Sequence, residues 1–260
     1  MSEKRASEEL IVSWNQLVMD DSTEPLTNFL STHSGLPGPR GNLTLAAEAS
    51  KLIARDWGIK RSYFKDLIVA WSSSGNEYLM FVAHEAIGQV LSGNPKEVEW
   101  AVPILYNANF NPLWRAREGV TFALETLLED EASFALRIID EWCKSGDPIV
   151  IRNSIVALAH PTQLRKNSAQ LHALELYNGV GMEIVAKVIN PGDDVKMLAK
   201  SLGFTLSVAA EADEGYLDEF ENWIDGNIKV WRVIIKENLT KARIAKKYPS
   251  HIGALLKRLG

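Results

Sequence analysis

The chain has 260 residues, 46% of them hydrophobic and 23% charged, with a net charge of −5. That balance is a folded protein's and excludes a largely disordered chain; no apolar run nears the ~18 residues of a membrane span. A single cysteine, Cys143, excludes an internal disulfide and a thiolate metal cluster, and the polar start MSEKRASEEL is unlike a signal peptide, so a cytoplasmic protein is expected.

In chain order, Leu10, Ile11, Trp14, Leu17 and Val18 recur at helical spacing and predict a first helix over residues 5–20. A short helical piece follows Pro25 through Leu26, Phe29 and Leu30. The loop SGLPGPRGN, residues 34–42, has three Gly and two Pro and excludes regular structure. It divides an N-terminal segment, residues 1–42, from a helical domain, residues 43–260. Arg40 in this loop either meets an anion at the next helix or belongs to a rigid connector. Asn42 or Thr44 is placed to cap a helix running through Ala46, Ala49, Leu52 and Ile53 to Trp57.

From Ser62 the pattern is helix, polar turn, helix, repeated. Trp71, Tyr106, Trp142, Ile189 and Trp223 each precede a turn (SSSGN, NANFNP, CKSGDP, NPGDD, IDGN), at separations of 35, 36, 47 and 34 residues. These are the periods of two-helix repeats, and the longest places an insertion near residues 161–172. Eight places after each anchor stands Leu79, Trp114, Val150, Met197 or Trp231, with Trp114-Arg115 and Trp231-Arg232 in phase. The β-branched run Pro148–Ile151 continues at helical period to Leu158, so it is read as a helix start. No segment alternates as a half-buried strand does, and the class is all-α.

On these residues the chain resembles the HEAT-repeat class of α-solenoids. DPIVIRNSIVALA at 147–159 is similar to that family's second helix, and DDVKMLAKSLGFTL at 193–206 is a looser version. The resemblance implies an α-α superhelix of about five helical pairs whose inner, concave face holds a macromolecular partner, with no cofactor. It also implies a ladder role for Arg152 with Asp147, the alternative being that Arg152 extends a basic track along the inner face. VWRVIIKENLTKARIAKKYP at 230–249 and PLWRAREGV at 112–120 resemble the HEAT-like alkylpurine DNA glycosylases more weakly. The Trp-Asp order of their catalytic carboxylate is missing: Asp140-Glu141-Trp142 and Glu221-Asn222-Trp223 run the other way. Glu118 and Asp140 are the carboxylates that this second resemblance would put to work.

Charge is unevenly spread. Residues 229–260 carry nine Lys/Arg and one acid, Glu237, leaving 19 basic and 32 acidic side chains to the other 228 residues. On one long helix Lys229, Arg232, Lys236, Arg243 and Lys247 form a single stripe. Such a stripe is either an anion-binding face for nucleic-acid phosphates or a solvated edge, and Arg115 either extends it or joins a structural ladder. Trp114 and Trp231 are core residues or stacking platforms worth about 1–3 kcal/mol per base; Trp71, Trp142 and Trp223 are core. Catalytic and metal signatures are lacking: His84-Glu85 has no second His at metalloprotease spacing, and His33, His160, His172 and His251 are scattered. Cys143, beside a packed Trp, reads as a small core residue. A non-enzymatic binding protein with a protein partner is expected, and nucleic acid through the basic C-terminal helix is the alternative.

Overall fold

The computed structural model describes residues 3–19, 22–38 and 40–260; the expected end of the first helix at Asp20, and Pro39 of the Pro/Gly loop, lie outside them. Every regular element among the described residues is helical, with sixteen α-helices and two single 3-10 turns and no strand. The chain divides into two compact units, Met1–Glu131 and Ala132–Gly260. The Pro/Gly loop, and with it the expected division after residue 42, falls inside the first unit.

The first unit holds α1 (Glu3–Leu17), α2 (Glu24–Thr32), α3 (Leu43–Arg55), α4 (Trp57–Ser72), α5 (Glu77–Gly93), α6 (Val98–Ala108) and α7 (Trp114–Asp130). Asn42 caps α3 by accepting the Leu45 N–H at 3.0 Å, as its position before the apolar run implies. Trp57 opens α4 rather than closing α3. The break falls at Asp56, whose carboxylate accepts the Trp14 indole N–H at 2.7 Å. Helix α5 is buried on nearly every side, because α3 and α7 flank it and α4 and α6 pack on it. Its contact with α7 is very close: a Cβ on Gly88 would stand 2.6 Å from the Ala123 Cα, and one on Gly119 would stand 2.9 Å from the His84 Cβ. Only glycine lets these backbones approach so far.

The second unit holds α8 (Ala132–Cys143), α9 (Pro148–Leu158), α10 (Pro161–Leu164), α11 (Ser168–Lys187), α12 (Asp193–Ala212), α13 (Leu217–Asp225), α14 (Lys229–Leu239), α15 (Ala242–Ala245) and α16 (Pro249–Leu259). The short α10 occupies the expected insertion, and the β-branched run from Pro148 is the first turn of α9, capped by Asp147. Helix α12 lies between α9 and α14 and packs on both. Asn238 of α14 locks one side of that packing: its carbonyl accepts the Ser207 N–H at 2.8 Å and its amide donates to the Leu202 carbonyl at 2.8 Å.

Five neighbouring helix pairs are joined by short turns: α4/α5, α6/α7, α8/α9, α11/α12 and α13/α14. Trp71, Trp142 and Trp223 are buried as expected. Ile189 is not, at 93% exposed, because α11 ends two residues earlier at Lys187.

Candidate functional site

The turn before α14 runs through Asn227, which holds a left-handed backbone (φ 52°), and delivers an amphipathic helix. Trp231, Ile234, Ile235, Asn238 and Leu239 face inward, and the Trp231 indole donates to the Met182 carbonyl at 2.7 Å. Trp231 is therefore core and offers no stacking face. Trp114, its counterpart in the first unit, is 42% exposed, with the Arg117 guanidinium 5.8 Å from its ring centre.

The basic stripe is shorter than a single long helix implies. Helix α14 stops at Leu239, and the Thr240 hydroxyl that follows donates back to the Glu237 carbonyl at 2.7 Å. Lys241 N–H turns instead to Asn238, at 2.9 Å. Lys229, Arg232 and Lys236 share one face of α14, whereas Arg243 stands on α15 and Lys247 in the following turn.

Two of the five cations also have structural work. Arg232 donates to the Leu259 carbonyl at 2.5 Å and the Ile224 carbonyl at 3.4 Å, closing the C-terminal turns of α16 and α13. Lys247 donates to the Glu211 carbonyl at 2.6 Å, at the end of α12. In the first unit Arg115 is ion-paired with Glu118 of its own helix, and its N–H donates to Glu77 at 2.8 Å. Lys229, Lys236 and Arg243 stay exposed.

What surrounds Lys229 is as much apolar as basic. A concavity of about 400 Å³ is lined by Asn227, Lys229, Arg232, Val233, Lys236 and Leu259, with Val233 61% exposed. Across Lys229 lies a groove of about 350 Å³, walled by Val185, Val188, Ile189, Pro191, Val195 and Val230.

The carboxylates that the weaker resemblance points to are engaged elsewhere: Glu118 with Arg115, and Asp140 as acceptor of the Tyr177 hydroxyl at 2.7 Å. Burial pushes the Cys143 thiol up to about 12, which leaves it unreactive near neutrality. Asp147 accepts the Ile149 N–H at 2.9 Å and Arg152 donates to Asn153 at 2.6 Å, so each has local work besides any ladder. Among the described residues no group of three or more His, Cys, Asp or Glu could hold a metal, and no helix is long and apolar enough to cross a membrane.

The sequence reading missed two polar clusters, both in the first unit. Glu97, fully buried, accepts from Arg61 at 2.7 and 2.8 Å, from Trp100 at 2.7 Å and from Trp57 at 3.4 Å; the Arg61 hydrogen bonds hold its carboxyl down to about 2. Glu85, 5% exposed with Oε2 unpartnered, is pushed by burial up to about 8, and Glu125 to about 7. The i,i+4 spacing of Trp57 and Arg61 was the available signal for the first; nothing local marks the second.

No protein-family model matches the chain, and no curated protein matches it in sequence.

Proposed function

We propose that this protein is a non-catalytic α-solenoid of the HEAT-like type, and that α14 of its second unit holds a partner protein segment both apolar and acidic. The solenoid reading is supported by the five helical pairs and by the side-by-side packing of second helices, α5 with α7 and α12 with α9 and α14. The observation that carries the partner reading is the position of Lys229. It stands between two concavities whose walls expose Val233, Val188 and Ile189, while Lys236 lies one turn further along the same face. Exposed apolar walls beside cations suit a segment that buries Leu or Phe side chains and pairs carboxylates at the rim. Phosphate tracking needs a run of uncommitted cations, and Arg232, Lys247 and Arg115 are engaged by protein groups. This favours protein over nucleic acid.

The test is selection of 12-residue peptides from a displayed random library, repeated with Lys229→Glu/Lys236→Glu. Enriched peptides are expected to alternate Asp or Glu with large apolar residues and to lose binding at least tenfold to the variant. No enrichment, or peptides indifferent to the variant, overturns the reading. Duplex DNA bound with a steep salt dependence and lost in the same variant would replace it with the nucleic-acid alternative.

A further inference from the structure

We infer that the first unit carries a separate ligand site, a cleft floored by His84 that takes a small uncharged molecule presenting an amide or hydroxyl hydrogen beside an apolar body. The cleft measures about 310 Å³ and lies among α4, α5 and α6, bounded by Val69, Ser72, Ser73, Ile104, Asn107 and Ala108, with Asn111 beyond. That is the lower end of the size range of small-molecule sites.

The chemistry follows from the imidazole. His84 is 1% exposed, and its Nδ1 lies 2.9 Å from the Ala116 carbonyl oxygen. A carbonyl can only accept, so Nδ1 carries the hydrogen and Nε2 is left as a bare acceptor. Gly119 makes this arrangement possible, since a Cβ there would collide with the His84 Cβ and hold α7 away. Nε2 has no partner among the described residues, and its ring lines the cleft. A ligand N–H or O–H within the cleft supplies the donor that this acceptor lacks.

The rim selects in the same direction. The Ser72 hydroxyl donates to the Ile68 carbonyl at 2.8 Å, and that of Ser73 to the Val69 carbonyl at 3.3 Å. Both hydroxyl hydrogens are thereby spent inside α4, and their oxygens remain as acceptors. The cleft is thus rich in acceptors, and of its two amides Asn107 offers both senses while Asn111 is engaged with Leu113 and Met80. A carboxylate would face the Nε2 lone pair, and an ammonium would find no carboxylate among the lining residues. Burial lowers the proton affinity of His84 to about 4, so the ring stays neutral throughout the physiological range and does not become an anion site. Val69, Ile104 and Ala108 supply the apolar wall. A primary amide, with two N–H groups and one carbonyl, matches the set most fully.

The experiment titrates the full chain, labelled with nitrogen-15, with benzamide, benzoate and benzylamine, and follows the His84 imidazole nitrogens and the backbone amides of Ser73 and Ala108. Benzamide is expected to shift the Nε2 resonance saturably at millimolar concentration, with the two charged probes at least tenfold weaker. Asn107→Trp, at an exposed rim position, is expected to abolish the shift by filling the cleft. Ser73→Val, also exposed, is expected to weaken it severalfold, and serves should Asn107→Trp not fold. Lys229→Glu, in the other unit, leaves the shift unchanged, so this inference and the partner-segment reading fail separately. No saturable shift with benzamide, equal response to all three probes, or a shift that survives both variants overturns the inference.

Discussion

Glu85 shows how much one buried side chain can weigh on the stability of the first unit. Burial pushes its carboxyl up; Lys51 on α3 opposes that push, while Glu125 on α7 adds to it. Burial also raises Glu125, with Glu118 adding to that shift. A raised folded-state value means that the folded chain keeps a proton that the unfolded chain has lost. The linked stability is therefore fully present below about pH 4.5 and falls as pH rises towards about 8. Glu85→Gln, neutral at every pH, is expected to match the wild type near pH 5 and to melt several degrees higher at pH 9, with Glu125 leaving a residual slope. Thermal melts followed by circular dichroism across pH check this, and an unchanged or lower Tm at pH 9 refutes it. Glu97 works in the opposite sense. Held down to about 2 by Arg61, Trp100 and Trp57, it contributes stability that is present above about pH 4.5 and lost as pH falls towards 2. Glu97→Gln is expected to cost about 3 kcal/mol or more at pH 7, since it leaves the Arg61 charge and two indole donors poorly matched. The same melts at pH 7 and pH 3 should show the deficit shrinking with acid.

At the scale of elements, glycine position separates close packing from plain helix cost. Gly88 and Gly119 set the crossing of α5 and α7, and a methyl at Gly88 meets backbone that cannot swing aside. Gly88→Ala is expected to destabilise by about 1–3 kcal/mol through overpacking. Gly179, in the middle of α11, has nothing within 4 Å of a built Cβ. Gly179→Ala is expected to stabilise by about 0.4–1 kcal/mol, because it restricts the unfolded chain at no contact cost. Urea titrations of the two variants should move the midpoint in opposite directions. The basic face of α14 divides in a similar way. Arg232→Ala is expected to lose about 1–2 kcal/mol, because the terminal carbonyls of α13 and α16 lose a charged donor. Lys229→Ala and Lys236→Ala, at exposed positions, are expected to stay within about 0.5 kcal/mol of the wild type by the same titration. A stability loss at the lysines equal to that at Arg232 would show that the whole face is structural.

At the scale of the molecule, each unit has its own buried core. The first is centred on α5 between α3 and α7, and the second on α12 between α9 and α14. Fragments 1–131 and 132–260 are expected each to give a helical spectrum and a cooperative melt; a fragment that stays unfolded would show that its core is incomplete alone. Helical class, the helix–turn–helix alternation, the helix start at Pro148 and the Asn42 cap were legible in the sequence. Each depends on period, on turn residues or on a side chain reaching two or three residues along its own backbone. The same local logic led astray at Thr240, where apolar period alone carried α14 on to Lys247. The helix ends at Leu239, the Lys241 N–H turns to Asn238, and the stripe is divided between elements. Composition could show that the C-terminal region is basic, but not which cations are spent. Arg232 and Lys247 find their carbonyls 27 and 36 residues away in the chain. His84 and Glu85 were adjacent letters with no motif around them. Only the tertiary structure, by burying both beside α7 through Gly88 and Gly119, made one a bare acceptor in a cleft and the other a carboxyl that resists ionisation. Local backbone preference is written residue by residue; desolvation and hydrogen-bond partnership across distant helices exist only once the chain has packed.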